Sequence, residues 1–387
     1  MKPSILIVAG DVSGDLHAGA VVRAWQQRGL NAELWGIGGD RLRAAGAELL
    51  YDVRQTAIMG FLEVLRHAGL VRRMWRDILR RVQSRPPDLA ILVDYPGFNL
   101  RLARALKHRG LRVLYFICPQ VWAWHSSRIW TLAQTVDRLL VIFPFERELF
   151  RDTGLTVDFV GHPFVDELTA FTAAPLNEWG SGQPRVGLLP GSRRQEVRRI
   201  LPTLLAAAEQ VRIRHPNAAF IVAAANDVTA ELARRLIAQR SSRSVRSPVV
   251  VGRTRDVLRQ ATAAWVASGT ATLEAALLEC PQVIVYRAHP LSYLLGRCLI
   301  RVPYIGMVNL VAGRGICPEL IQHEATAVRL ADAIEPLLTD TSQRQAMLFG
   351  YQEVRTKLGQ PGAAARAAEI LDQELRAALA RSRIASP

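Results

Sequence analysis

At 387 residues, half of them hydrophobic and 21% charged, the chain has the composition of a globular protein of about two domains, which excludes the disordered and collagen-like classes. Forty-nine Lys and Arg against 34 Asp and Glu leave a net charge of +15, a bias that points to polyanionic partners: nucleic acid, anionic lipid headgroups or phosphorylated substrates. Aromatic residues at 7%, with no RNP-like or helix-turn-helix pattern, argue against nucleic acid.

The opening MKPSILIVAGD reads as a first strand: its apolar run is too short for a signal-peptide core and has no cleavage pattern. No uncharged apolar stretch approaches the roughly 20 residues that cross a bilayer, so a cytoplasmic protein is expected. AGDVSGD follows with Gly10 and Gly14 but lacks both the G-x-G-x-x-G fingerprint and the P-loop G-K-[ST], which disfavours NAD and ATP. Further strand-length runs, AELWGIG, LAILVD, VLYFIC, LLVIF and VDFVG, alternate with helical patterns. Their near-continuous Val, Ile and Leu predict an α/β fold, a parallel sheet covered on both faces.

Between AELWGIG and LAILVD, residues 66–85 carry seven Arg against the single acid Asp77, while Val71, Met74, Trp75, Ile78, Leu79 and Val82 share a helical stripe. A core-facing helix with a solvated basic face accounts for the later turns. Met59, Phe61, Leu62, Leu65 and Leu70 beside the Arg cluster are candidate contacts to an anionic membrane surface. The stretch VDYPGFN at residues 93–99 then sets Asp94 at the end of an apolar run, before a helix with Leu100, Ala103 and Leu106 on one stripe. An Asp here is either a helix cap or a carboxylate presented to a cleft.

TAFTAAPLNEWGSGQP is a turn-rich linker candidate, after which RVGLLPG, AAFIVAAA, PVVVG, AAWVASG and PQVIVY repeat the alternation. The expected organisation is a first Rossmann-like domain over residues 1–170, a second over 183–345, and C-terminal helices over 346–387. Two such domains in tandem would place the carboxyl ends of both sheets around a shared crevice. GLLPGSRRQEV is strand, tight turn and helix start, so Gly191, Ser192 and Arg193 could hold a phosphate through backbone N–H groups and a guanidinium. VASGTATLEAAL is a second such turn: Ser268, Gly269 and Thr270 allow close backbone approach, and Glu274 could accept both hydroxyls of a ribose or simply offset a helix dipole. Together the two turns suggest a nucleoside diphosphate. Cys118, Cys280, Cys298 and Cys317 lie too far apart for C-x-x-C, and the His residues are scattered singly without H-E-x-x-H, so neither metal nor cofactor is expected.

The ordered motifs AGDVSGD, GIGGDRL, MGFLEVL, DYPGFNLRLA, CPQVWAWH, FPFE, GHPFVDE, LLPGSRRQEV, SGTATLEAAL, YRAHPLSYLL, VNLVAGR and CPELIQ, from about residue 5 to about residue 325, resemble the lipid-A-disaccharide synthase family. The resemblance implies a GT-B glycosyltransferase of family 19, with two Rossmann-like domains. It implies transfer of 2,3-diacylglucosamine from UDP-2,3-diacylglucosamine to 2,3-diacylglucosamine 1-phosphate with inversion, and no cofactor. It casts Asp94 as the essential acid, Arg193 as the phosphate-side arginine, Glu274 and the SGT turn as the nucleotide pocket, and Asn309 as a donor-binding residue. Ser13 and Gly14 are implied at the substrate site, and Glu319 and Gln322 beside the donor sugar. A peripheral place on the inner face of the inner membrane is implied as well; a homodimer is left open. Asp11, Val12, Gln120 and His125 depart from the residues usual in that family. A UDP-N-acetylglucosamine 2-epimerase, or another GT-B enzyme, is the competing reading.

Overall fold

The computed structural model describes residues 2–56, 68–122, 127–240, 246–289, 293 and 302–384. The chain forms two compact units, residues 1–163 with 360–387, and residues 164–359.

In the first unit, β1 (Ser4–Ala9), β2 (Glu33–Gly38), β3 (Glu48–Asp52), β4 (Leu89–Val93), β5 (Val113–Phe116), β6 (Arg138–Val141) and β7 (Thr156–Phe159) make one sheet in the order β3-β2-β1-β4-β5-β6-β7, every pairing parallel. Strands β1 and β4 are buried at every position, as their unbroken apolar runs require. The intervening helices are α1 (Val12–Gln27), α2 (Asp40–Ala44), α3 (Val53–Thr56), α4 (Ala68–Ser84), α5 (Pro96–Lys107) and α6 (Arg128–Thr135). Helix α4 turns Met74, Ile78 and Val82 into the core at no more than 2% exposure, each worth about 1.5–3 kcal/mol of burial. Its Arg81 lies over the Trp35 ring at 4.6 Å and grips both oxygens of Glu48, so part of the basic face serves the fold.

The second unit opens with α7 (Pro163–Thr169), whose first residue belongs to the first unit. Its sheet contains β8 (Arg185–Leu189), β9 (Ala219–Ala224), β10 (Val249–Val251), β11 (Ala263–Ala267), β12 (Gln282–Tyr286) and β13 (Glu319–Ile321), in the order β10-β9-β8-β11-β12-β13, again all parallel. Helices α8 (Arg194–Arg214), α9 (Asp227–Ala238), α10 (Thr254–Gln260), α11 (Ala271–Leu277), α12 (Met307–Ala312), α13 (Ala327–Ile334) and α14 (Ser342–Leu358) complete it. The turn-rich stretch before β8 is anchored here: Gln260 and Asp256 accept the Leu176 and Ala174 amides, and Trp179 is buried.

The last helix, α15 (Ala363–Ile384), belongs to the first unit. Trp25 donates to Asp372 at 3.1 Å, and the nearly buried Glu374 is paired with both Arg112 and Arg138. Those two arginines pull the Glu374 carboxyl below its ordinary range against the opposing effect of burial, which is the larger single influence. Among the described residues no helix is long and apolar enough to cross a membrane.

Candidate active site

In both sheets the strand order reverses beside the first strand, and ligands of such folds bind at the carboxyl ends of the strands on either side of that reversal. In the first unit β1 pairs with β4 so that Ala9 lies opposite Val93, which brings the residues that follow, Gly10 and Asp11 from one strand and Asp94 and Tyr95 from the other, to the same edge. Asp94 and Tyr95 both take left-handed backbone conformations, with φ of 45° and 51°. This pair is held from below. Asn99 donates its side-chain amide to the carbonyls of Asp94, Val93 and Val8, and the Tyr115 hydroxyl donates to the Asp94 carbonyl at 2.5 Å. The Tyr95 ring lies on Gly10 so closely that a Cβ there would meet it at 2.1 Å, which accounts for the glycine.

Asp94 does not cap the following helix: the N-cap of α5 is Tyr95, with no side-chain cap, and Pro96 and Gly97 form the first helical turn. What presents the carboxylate is therefore the pair of left-handed residues, Asp94 and Tyr95. Burial, then the neighbouring Asp11 carboxylate, push the Asp94 carboxyl from 3.8 up to about 6, against the pull of the Tyr95 amide. Asp11 itself caps α1 by accepting from the Gly14 amide at 2.6 Å, while Ser13 is exposed. Gly14 thus serves the cap with its backbone.

Other groups of this unit were not singled out from the sequence for their chemistry. Asp15 is buried and accepts three amides, from Gly39, Arg41 and Leu42, fixing the start of α2. Glu146 of FPFE is 1% exposed; burial raises its carboxyl to about 8, although it accepts the Phe143 amide at 3.1 Å. His162 of GHP is buried with its ring 5.1 Å from that of Phe143, and burial pushes its imidazole down to about 3, keeping it neutral. These motifs were visible; their burial was not.

In the second unit β8 pairs with β11 and Leu189 lies opposite Val266, so the PGSR and SGT turns leave adjacent strands at the same edge. Gly191 has φ of 109°, and a Cβ there would meet Glu196 at 2.4 Å. That Glu196 accepts the amides of Ser192 and Arg193 at 3.1 and 3.2 Å, so an internal carboxylate occupies two of the donors that the sequence offered to phosphate. The Arg193 side chain stands 83% exposed with one 3.3 Å contact to Glu196, leaving most of its donors to a ligand. Ser268 donates its hydroxyl to the Ile305 carbonyl at 2.7 Å, fixing that turn against the lead into α12, and Thr270 is exposed.

Glu274 is part-buried on α11, where Arg255 of α10 donates to its Oε1 at 2.7 Å. Burial raises its carboxyl above the ordinary value, and Arg255 opposes that shift. Asn309 is fully buried and every bond its amide can make is internal: Nδ2 donates to Cys317 and Glu319, and Oδ1 accepts the amides of Ile316 and Cys317. Glu319 in turn accepts the Ile305 and Gly306 amides, both at 3.0 Å. Gln322, at φ 53°, ties its side chain to the backbone of Ala288. Asn309, Glu319 and Gln322 are thus committed to shaping the loop.

Of the five apolar residues set aside for a membrane, Leu70 is partly buried and packs against the hydrophobic core of the first unit. Met59, Phe61, Leu62 and Leu65, like His125 and Cys298, lie outside the described residues. Cys118, Cys280 and Cys317 are buried free thiols, raised by burial well above the ordinary range.

Two doubly wound parallel-sheet units in one chain, each with its candidate side chains at the reversal of strand order, define a protein of the GT-B class. Solved structures agree on the fold. The UDP-GlcNAc 2-epimerase of Neisseria meningitidis aligns with TM-score 0.59 at 11% identity over 97% of this chain and 99% of its own. A calicheamicin glycosyltransferase gives 0.57 at 15% identity over 100% of both. Sequence is more selective than fold. The lipid-A-disaccharide synthetase family matches residues 5–373, and the chain belongs to it. The lipid-A-disaccharide synthase of Geobacter sulfurreducens is 41% identical over 372 residues, 95% of this chain and 96% of its own. That of Syntrophus aciditrophicus is 42% identical over 368 residues, with 94% and 96% covered.

Proposed function

We infer that this chain is an inverting glycosyltransferase of lipid A biosynthesis, which moves 2,3-diacylglucosamine from UDP to 2,3-diacylglucosamine 1-phosphate and releases UDP. The observation that carries this reading is the near full-length likeness to synthases at about 40% identity. The Neisseria meningitidis epimerase shares the fold at 11% identity and so lends its own activity no comparable support.

The site residues suit the chemistry. As the acceptor hydroxyl oxygen bonds to the anomeric carbon, Asp94 takes its proton; the bond from that carbon to the diphosphate breaks, and the electron pair leaves with UDP. Attack opposite the leaving group inverts the centre. A carboxylate whose carboxyl titrates at about 6 is charged at neutral pH yet more basic than an ordinary aspartate, which favours a general base. Arg193 takes the diphosphate, the backbone at Ser268, Gly269 and Thr270 admits the nucleotide, and Glu274 accepts from the ribose. Asn309, Glu319 and Gln322 serve the donor side by fixing backbone, and Ser13 and Gly14 border the acceptor edge. Both substrates carry acyl chains and phosphate, so the enzyme works as a peripheral protein on the cytoplasmic face of the inner membrane, its charge of +15 favouring an anionic surface.

The test is mass spectrometry of the full chain incubated with both diacylglucosamine substrates. A disaccharide 1-phosphate should form with release of UDP, and Asp94→Ala should form none while still binding UDP. An epimerised UDP-sugar with the acceptor untouched would overturn the reading.

A further inference from the structure

The guanidinium of Arg255 is spent on two carboxylates within the second unit. Its Nε donates to Glu274 Oε1 at 2.7 Å, and its Nη2 donates to Glu167 Oε2 on α7 at 2.6 Å. All three side chains are part-buried, at 29%, 16% and 24% exposure for Arg255, Glu274 and Glu167, so the pairs are shielded from the screening that weakens surface ion pairs. The Phe164 ring lies 5.5 Å from the guanidinium carbon and closes another side. This is the opposite of Arg193, whose side chain is 83% exposed and touches one carboxylate at 3.3 Å. An arginine bonded in this way has little left for a diphosphate; it can fix the carboxylates it holds. Among the described residues, Glu274 accepts a side-chain bond at Oε1 alone.

We propose that Arg255 is a positioning residue for nucleoside recognition: braced by Glu167, it holds Glu274 by Oε1 and leaves Oε2 to accept from the ribose hydroxyls. The proposal deepens the functional reading above and rests on its assignment of Glu274 to the ribose. A carboxylate on a short helix has several rotamers, and each pays side-chain entropy to bind; a rotamer fixed in advance by a charge-assisted bond has paid it before the nucleotide arrives. Glu167 serves by accepting from Nη2, which holds the guanidinium at a second point and restrains Arg255 from swinging away from α11.

The experiment compares UDP with 2'-deoxy-UDP by calorimetric titration of the full chain and of Arg255→Ala, Arg255→Lys and Glu274→Gln. The deoxy ligand lacks one of the hydroxyls that Glu274 would accept, so the unaltered chain should prefer UDP by about tenfold or more. Arg255→Ala should reduce that preference at least fivefold, and Glu274→Gln should bring it close to one. Arg255→Lys retains charge but cannot span both carboxylates along a rigid fork, so it should fall between, and it carries the test should the alanine variant fail to fold. A general loosening of the unit would weaken both ligands equally and leave the preference intact. If the preference survives in the Arg255 variants but is lost in Glu274→Gln, the proposal is overturned and the ribose assignment stands. If Glu274→Gln keeps it too, the ribose assignment itself falls.

Discussion

Replacing Asp94 by Asn should destroy turnover and make the first unit more stable, and the second effect can be worked out. Asn keeps the shape of the side chain and tolerates the left-handed backbone at φ 45°, so the substitution removes charge with little strain. The native carboxyl titrates at about 6 against an ordinary 3.8, because it is shielded from water and faces Asp11. At about 1.4 kcal/mol per pH unit, holding that charge in the fold costs on the order of 3 kcal/mol when the group is fully ionised. The sign follows from proton binding. The native state holds the proton more tightly than the unfolded chain, so this group's contribution is most favourable below about pH 3.8 and declines as pH rises through 6. The advantage of Asp94→Asn should therefore be greatest at pH 8, about half as large at pH 5, and nearly gone at pH 4. Partial burial of the new amide reduces the gain to about 1–3 kcal/mol, or roughly 3–10 °C for a unit of this size. Urea and thermal unfolding of the full chain at the three pH values measures it. An equal gain at pH 4 and pH 8, or a loss at pH 8, would refute the claim that a shielded, repelled charge is stored at this edge.

Arg193→Ala should weaken UDP binding by about tenfold or more while leaving the unfolding free energy within about 0.5 kcal/mol of the parent, since its exposed side chain makes one internal contact; calorimetry and urea melts read the two quantities. Asn309→Ala should do the reverse first, costing about 3–5 kcal/mol of stability because the carbonyl and the amide of Cys317, the amide of Ile316 and the Glu319 carboxylate lose a buried partner together. A destabilisation below about 1 kcal/mol would show that water replaces those bonds.

What could be read from the sequence follows the reach of the interactions involved. The apolar runs marked strands β1, β2, β4 to β6, β8, β9, β11 and β12 because a strand buried on both faces writes its burial into consecutive residues, and they marked the half-exposed edge strands β7 and β10 through their β-branched and aromatic residues. They gave no sign of β3, whose residues ELLYD are half-exposed at the sheet edge, or of β13, three residues long and also at an edge. The same limit applies to the site. Asp94, Arg193 and Glu274 stand where a strand gives way to a helix, a local feature. The Arg255 bridge joins residues 167, 255 and 274, and nothing in a single chain of letters pairs them. The same holds for Glu196, which could be seen as a helix-start carboxylate but not as the group that takes the Ser192 and Arg193 amides. Strand order is the quantity that decides the chemistry. Because β1 lies beside β4, Asp11 comes to the edge that holds Asp94, and the repulsion between them helps to raise the basicity of the proposed catalytic carboxylate. An order that separated those strands would keep every motif in the sequence, and Asp94 would lose the Asp11 part of its raised basicity.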